Sequence, residues 1–170
     1  MGHEQAAAIA VYRARPSDCG RIAEFLSRTL PGRPSITCGD VLSHLGRAGL
    51  LLAECAGEPV GLLGFQVENL VARITDFLVV RPAERTAIAR ALLAAMEETA
   101  HELQCEAAIL LMPAPPSAEM TAFWSGFGYQ RRLAAELPRP WREAAGEAPL
   151  GPDGSVLVKQ LRAERVLRPI

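Results

Sequence analysis

The fold is decided by a strand that passes through a proline into a long helix: TDFLVVRPAERTAIARALL, residues 75–93. The apolar run from Leu70 to Val80 predicts a strand, and Arg81-Pro82 ends it, because proline has no backbone N–H to give to a sheet. From about Glu84 to Gln104, apolar residues recur at helical spacing and predict the longest helix of the chain. The first amides of such a helix have no intrahelical acceptor, which suits an anionic ligand.

Outward from this stretch, the same reading predicts strands, helices and one long loop. Upstream we predict, in order, a strand at Ile9–Ala14, a helix from Pro16-Ser17-Asp18 to Leu30, a weaker helix at Cys38–Arg47, and strands at Leu50–Cys55 and Val60–Val67. Downstream we predict a strand at Ala107–Met112, a helix from Ser117 to about Phe127, and strands at Gln130–Leu137 and Ser155–Leu161. The continuous apolar character of Ala107–Met112 indicates a parallel partner. Residues Pro138–Gly154 hold four prolines and three glycines, which predicts a long loop.

Composition limits the function classes that need to be considered. The chain has 170 residues and 49% hydrophobic residues, which predicts one domain over residues 1–170. Its formal net charge of −1 argues against nucleic-acid binding, and its apolar runs are too short for a membrane span. The N-terminus lacks a signal-peptide pattern, so we expect a cytoplasmic protein. Lys159 is the only lysine, and this arginine- and alanine-rich composition is typical of a bacterial, GC-rich genome.

The four cysteines are far apart in the sequence and form no CxxC pair. Cys19, Cys38, Cys55 and Cys105 therefore indicate small buried side chains of a reducing compartment. A disulfide framework and a metal site are not expected.

The predicted element order, together with three local patterns, resembles the GCN5-related N-acetyltransferase (GNAT) family over nearly the whole chain. The patterns are residues 75–93, AFWSGFGY at 122–129 and VLVKQL at 156–161. The resemblance implies an α+β fold (α/β three-layer) with a mixed, mostly antiparallel sheet of six to seven strands flanked by about four helices.

The resemblance also implies an acyl-CoA-dependent N-acyltransferase. Such an enzyme transfers acetyl from acetyl-CoA to a primary amine by direct attack, without a metal. The implied partner is a small-molecule or peptide amine acceptor, with no nucleic acid and no membrane, and a homodimer is left open. The implied coenzyme-binding residues are Leu78, Val79, Val80, Arg85, Thr86, Ala87, Ile88, Ala89, Arg90, Ser117 and Trp124.

The pyrophosphate-binding turn departs from the family pattern. The family has glycines at two positions where this sequence has alanine, Ala87 and Ala89 in one alignment, and that alignment puts Glu84 where the family keeps Arg or Gln. A carboxylate there repels phosphate, whereas backbone N–H groups still attract it. The alternative function is therefore a catalytically inactive GNAT-fold binding or regulatory module.

Asp76 and Trp124 are the candidate catalytic residues. Asp76 lies where relatives often carry a glutamate base, and a carboxylate in an apolar strand is costly without a partner. The alternative is that the Asp76 carboxylate is not catalytic and is bonded to a neighbouring loop or faces solvent. Trp124 lies where the family often has a tyrosine acid, and its indole cannot release a proton, so it either walls the thioester pocket or packs in the core. Ser117 lies near the coenzyme arm or caps a helix. The resemblance places the acceptor beside Leu30–Cys38 and Pro138–Gly154.

Overall fold

The computed structural model describes residues 8–112, 115–146 and 154–163. Its strands are β1 (Ile9–Arg13), β2 (Gly49–Cys55), β3 (Glu58–Glu68), β4 (Val71–Val79), β5 (Ala107–Met112), β6 (Gln130–Leu133) and β7 (Ser155–Gln160). Its helices are α1 (Cys19–Thr29), α2 (Cys38–Leu45), α3 (Arg85–Glu102), α4 (Ala118–Ser125) and α5 (Arg139–Ala145). The element order along the chain confirms the sequence prediction, with α5 added between β6 and β7.

The seven strands form one open sheet in the order β1-β2-β3-β4-β5-β7-β6. β4 and β5 are parallel, with Val71 opposite Ala107 and Ile74 opposite Leu110. β7 is antiparallel to both β5 and β6, and β1 is antiparallel to β2. The predicted α+β class with a mixed sheet is confirmed, as is the parallel partner that the apolar run of β5 indicated.

The prediction of a loop over Pro138–Gly154 is wrong for its first half, where α5 forms. Pro140 occupies the first turn of this helix, where proline is tolerated because its missing N–H would have no acceptor there. Trp141, Ala144 and Ala145 then fall on one face, are buried, and stabilise the helix by packing. Residues 147–153 of the predicted loop lie outside the described residues. β6 is also shorter than predicted, because a 3₁₀ turn follows it at Ala134–Glu136.

The contacts between Cα atoms divide the described chain into two compact units. One contains the described residues up to Gly64 together with Asp76–Met96, and the other contains Phe65–Thr75 and the described residues from Glu97 onward. The prediction of a single domain stays a prediction.

Each unit has its own apolar cluster. The core of the first unit is built from Ala14, Ile22, Ala23, Phe25, Val41, Leu50, Leu52 and Leu62. The core of the second is built from Val71, Ala107, Ile109, Leu137, Trp141, Ala144, Ala145, Val156 and Val158. In this second core, the Trp141 indole donates to the carboxylate of Glu106 (2.9 Å), a side chain that is only 3% exposed.

The cysteine prediction is wrong for one pair. Cys19 and Cys38 form a disulfide, with their Cα atoms 4.8 Å apart. The folded chain brings the first residues of α1 and α2 together, although these are 19 positions apart in the sequence. Cys55 and Cys105 are buried thiols, as predicted, and burial raises the pKa of Cys105.

Among the helices that the structure describes, none combines the length and the apolar character that crossing a membrane would require.

Candidate active site

A cavity of about 360 Å³ lies in the first unit, between α1, α2 and the strands β2, β3 and β4. The connection between α1 and α2, beside which the resemblance places the acceptor, supplies part of its wall. Most of its lining is apolar: Ile22, Leu26, Leu30, Ile36, Val41, Leu50, Leu62, Phe77 and Leu78. Four ionisable residues complete it: Arg33, Asp40, His44 and Asp76.

In the wall of this cavity, the carboxylate of Asp76 lies next to the imidazole of His44. The Nε2 atom of His44 lies 3.1 Å from Oδ2 of Asp76, and the two side chains are 32% and 44% exposed, respectively. The Nε2 atom itself is closed to solvent, and its orientation falls outside hydrogen-bond geometry, so the contact is an ion-pair distance and not an aligned hydrogen bond. The sequence left open whether Asp76 is a partnered site residue, is bonded to a loop or faces solvent. The structure supports a carboxylate that has a partner, His44, and is still accessible from the cavity.

His44 was missed as a site residue, because the sequence shows it only as one polar position on α2. Asp76 is 32 positions further along the chain, and nothing in local spacing links the two.

The second carboxylate of the cavity is already engaged. Asp40 accepts hydrogen bonds from the backbone N–H (2.8 Å) and the hydroxyl (2.6 Å) of Thr37, and Thr37 Oγ1 in turn accepts from the Asp40 N–H. These bonds from Thr37 hold the pKa of Asp40 below its usual value. This reciprocal pair is a capping box that begins α2. Asp40 therefore has a structural role at the exposed start of α2, whereas Asp76 is half-buried in the cavity wall beside His44.

The turn into α3 is tightened by a 3₁₀ segment at Pro82–Glu84. The Glu84 N–H donates to the Arg81 carbonyl (3.1 Å), and the Arg85 N–H donates to the Pro82 carbonyl. The Glu84 carboxylate lies 3.4 Å from the Arg81 guanidinium. That pairing offsets part of the negative charge that would otherwise repel phosphate at this helix end.

The predicted coenzyme-binding residues of this turn divide by burial. Thr86, Ala87 and Arg90 are exposed and Arg85 is half-buried. In contrast, Ile88 and Ala89 are fully buried. An anion at this helix end would therefore meet the exposed residues. Leu78 and Val79 at the end of β4 and Val80 directly after it are half-buried, and the Val80 N–H donates to the Val60 carbonyl (3.0 Å).

The position of α3 depends on the absence of a side chain at Gly61. A Cβ there would lie 2.8 Å from Cγ2 of Ile88, 3.0 Å from Cδ1 of Leu92 and 3.2 Å from the carbonyl oxygen of Leu78. The first turns of α3 thus rest directly on the backbone of β3. The glycine that matters for the turn is supplied by the neighbouring strand and not by the turn itself.

The remaining predicted residues lie in the second unit. Ser117 caps α4 by accepting from the Met120 N–H (3.1 Å), which confirms the helix-cap alternative. Trp124 is only 2% exposed and packs edge-on against Phe123 and Tyr129, with ring centroids 5.7 and 5.3 Å away. Its burial supports the core-packing alternative.

A polar network that the sequence did not indicate lies beside Trp124. Lys159 Nζ donates to both oxygens of Glu97 (2.8 and 2.7 Å), and the Tyr129 hydroxyl donates to the same carboxylate (3.2 Å). Burial, followed by the charge of Glu97, raises the pKa of Tyr129 above its ordinary value. Among the described residues, no group of three or more potential ligands could hold a metal ion.

Comparison with known proteins gives one family. The family model that matches the sequence is that of the acetyltransferase (GNAT) family, over residues 20–129. No curated protein matches the sequence.

Solved structures share the fold at low sequence identity. An acetyltransferase of the GNAT family from Staphylococcus aureus Mu50 matches with a TM-score of 0.67 and 17% identity, over 91% of this chain and all of that one. N-acetylglutamate synthase from Neisseria gonorrhoeae, solved with coenzyme A and N-acetyl-glutamate, matches with a TM-score of 0.62 and 18% identity, over 92% of this chain and 36% of that one. The ribosomal-protein-S18-alanine N-acetyltransferase of Escherichia coli has a TM-score of 0.62 and 14% identity, over 95% and 99% of the two chains.

Proposed function

This chain belongs to the acetyltransferase (GNAT) family, and we propose that it transfers acetyl from acetyl-CoA to a primary amine bound in the cavity between α1, α2 and β4. The observation that carries the proposal is the Asp76–His44 pair in the wall of that cavity. An accessible carboxylate with an imidazole beside it, in a mostly apolar cavity, is what an amine acceptor requires for binding and for loss of its proton.

The turn into α3 fits the coenzyme's pyrophosphate in its chemistry. Thr86 and Ala87 are exposed in the first turn of α3, directly after the 3₁₀ segment that uses the amides of Glu84 and Arg85, and the helix dipole favours an anion there. Arg85 and Arg90 add positive charge, and Arg81 offsets the carboxylate of Glu84. The alanine that replaces the family's second glycine, Ala89, is fully buried, so its methyl group does not occupy the exposed end of the helix.

Within the reaction, the chain's residues handle the amine and its proton. Acetyl-CoA supplies the thioester carbonyl, to which the amine nitrogen bonds as the carbon–sulfur bond breaks. The sulfur leaves as a thiolate and becomes the thiol of CoA by taking up the second proton that the nitrogen loses on becoming an amide. An ammonium group must first lose a proton, since only the neutral amine has a free electron pair. Asp76, which is partly exposed, contacts the ammonium and accepts that proton. His44 reaches Asp76 through an atom that solvent does not reach, so it acts as a positioning residue for that carboxylate.

The first test is calorimetric titration of the purified protein with acetyl-CoA and with free CoA. Binding of acetyl-CoA in the micromolar range supports the proposal and justifies a screen of amine acceptors. No binding at millimolar acetyl-CoA would instead support the inactive binding or regulatory module, for which the carboxylate of Glu84 in the turn is the specific observation.

The second test replaces the proposed base. Asp76→Asn should lower kcat/KM by about 100-fold or more, as is typical for loss of a general base, while acetyl-CoA affinity stays unchanged. Glu24→Gln, on an exposed carboxylate of α1 outside the cavity lining, is the matched control and should retain activity. Unchanged turnover in Asp76→Asn would remove Asp76 from the reaction.

The role of His44 is tested separately, through kcat and stability together. In His44→Ala the Asp76 carboxylate loses the contact at 3.1 Å, so kcat should fall while acetyl-CoA affinity and the free energy of unfolding stay unchanged, and His44→Gln, which retains a polar nitrogen, should recover part of the loss. A fall in kcat that only follows a loss of stability in both variants would mean that His44 only supports the fold.

A further inference from the structure

We propose that the acceptor is a small primary amine whose carbon body is hydrophobic and carries no second cationic group. This inference rests on the proposed function, since it names the substrate class of the same cavity. It is carried by the lining of the cavity, its charges and its size.

The lining is matched to an apolar body. Nine of the thirteen lining residues are aliphatic or aromatic, from both helices and three strands. A polyamine, an amino sugar or a lysine-rich peptide would place polar groups against these side chains without partners. Burying an unpaired polar group is unfavourable, and burying an unpaired charge is more so.

The charges of the cavity favour one ammonium group. Asp76, which is half-buried, is the carboxylate that we assign to it. Asp40 is exposed at the start of α2, where an ion pair contributes little. Arg33 also lines the cavity, and its guanidinium repels a further cation. A diamine that extends along the apolar lining would therefore bury its second charge without a counterion.

The volume sets the size of the amine. A cavity of about 150 Å³ is enough to bind benzene, so about 360 Å³ accommodates a body of roughly a dozen non-hydrogen atoms by the same measure. This size suits an alkyl or arylalkyl amine and is too small for an oligosaccharide.

The experiment compares two amines of equal length, hexylamine and cadaverine, which differ in one terminal group. Each is titrated calorimetrically into the full chain without coenzyme, and each is tested as acceptor with acetyl-CoA. We expect hexylamine to bind and to react with a kcat/KM at least about ten-fold above that of cadaverine, since ten-fold corresponds to a small part of the penalty for an unpaired charge.

Two isosteric variants test whether hexylamine binding depends on the lining of the cavity. Val41→Thr keeps the shape of a buried lining residue but replaces a methyl group by a hydroxyl group, so it should weaken hexylamine binding several-fold and leave acetyl-CoA binding unchanged. Val67→Thr makes the same kind of change at a side chain that is 39% exposed and outside the lining, and it should have no effect.

The outcomes separate this inference from the proposed function. Hexylamine that binds more tightly than cadaverine but is never acetylated would support the cavity chemistry and overturn the transferase function. Acetylation of cadaverine at an equal or higher kcat/KM would overturn the substrate class and leave the transferase function standing. Equal weakening in both variants would also overturn the inference, because the effect would not depend on the cavity wall.

Discussion

Replacing Gly61 by alanine should lower both the free energy of unfolding and the affinity for acetyl-CoA at the turn into α3, where we propose that the coenzyme binds. Gly61 lies on β3, and the added Cβ would meet two side chains of α3, at Ile88 and Leu92, and the backbone carbonyl of Leu78. The carbonyl belongs to β4 and cannot rotate away, so the helix has to move instead. Ile88 directly follows Thr86 and Ala87, which we propose to bind the pyrophosphate of the coenzyme.

The size of the effect follows from these distances. Relieving the closest contact from 2.8 Å to the ordinary 3.4 Å moves Ile88 by about 0.6 Å. Overpacking of this kind lowers the free energy of unfolding by about 1–3 kcal/mol. For a chain of this length, each kcal/mol lowers the Tm by about 2–4 °C.

The assay is urea denaturation followed by calorimetric titration with acetyl-CoA. Gly61→Ala should unfold at lower urea with an unchanged slope, and its acetyl-CoA affinity should fall under conditions in which the variant is still folded. The control is Gly20→Ala, on an exposed position of α1 where a Cβ meets nothing within 4 Å. There the same substitution should stabilise the protein by about 0.5 kcal/mol, because alanine favours the helix. A Gly61→Ala protein with wild-type stability would refute the argument that α3 rests on β3 at this point.

Two further predictions concern the tyrosines and the disulfide. Burial and the neighbouring Glu54 raise the pKa of Tyr12 from its ordinary 10.0 to about 12, and the pKa of Tyr129 is raised as well. Since these are the only two tyrosines, ultraviolet titration should detect no phenolate in the folded protein at pH 10, whereas the unfolded protein titrates there. Between pH 10 and 12 the folded state therefore retains a proton on Tyr12 that the unfolded state loses. The contribution of Tyr12 to stability is then complete below pH 10 and is lost as the pH rises through about 12. Detection of phenolate at pH 10 in the folded protein would contradict this prediction. Reduction of the Cys19–Cys38 bond, which joins positions 19 apart, should lower the free energy of unfolding by about 3 kcal/mol. Alkylation of the unreduced, denatured chain should label Cys55 and Cys105 alone. Labelling of all four cysteines would show that the bond does not form.

The elements with strong local signals were predicted well. α3 was expected from about Glu84 to Gln104 and spans Arg85–Glu102, because a long apolar stripe and a preceding proline both mark it. α5 was missed because Pro138 and Pro140 were taken to break structure, although a proline in a helix's first turn does not. Its formation depends on the burial of Trp141, which is a tertiary contact.

The candidate site was only partly predictable. Asp76 was identified because a carboxylate in an apolar strand needs a partner, but the partner is on another element and has no fixed spacing from it. The Cys19–Cys38 bond was not predicted for the same reason, because its cysteines lie on different helices and have no CxxC spacing. Ser117, in contrast, caps a helix through residues three positions away, so its local pattern was sufficient.

The network around Lys159 has a consequence for the protein's own chemistry. A protein with the transferase activity that we propose carries acceptor groups of its own, and uncontrolled self-acylation would modify them. This sequence contains one lysine, and its ammonium is held by both oxygens of Glu97 and lies 5.8 Å from the centre of the Tyr129 ring. A protonated amine in such a contact has no free electron pair to attack a thioester. The lysine side chain should therefore be inert toward the acyl donor and toward amine-reactive labels while the protein is folded, and reactive only after unfolding.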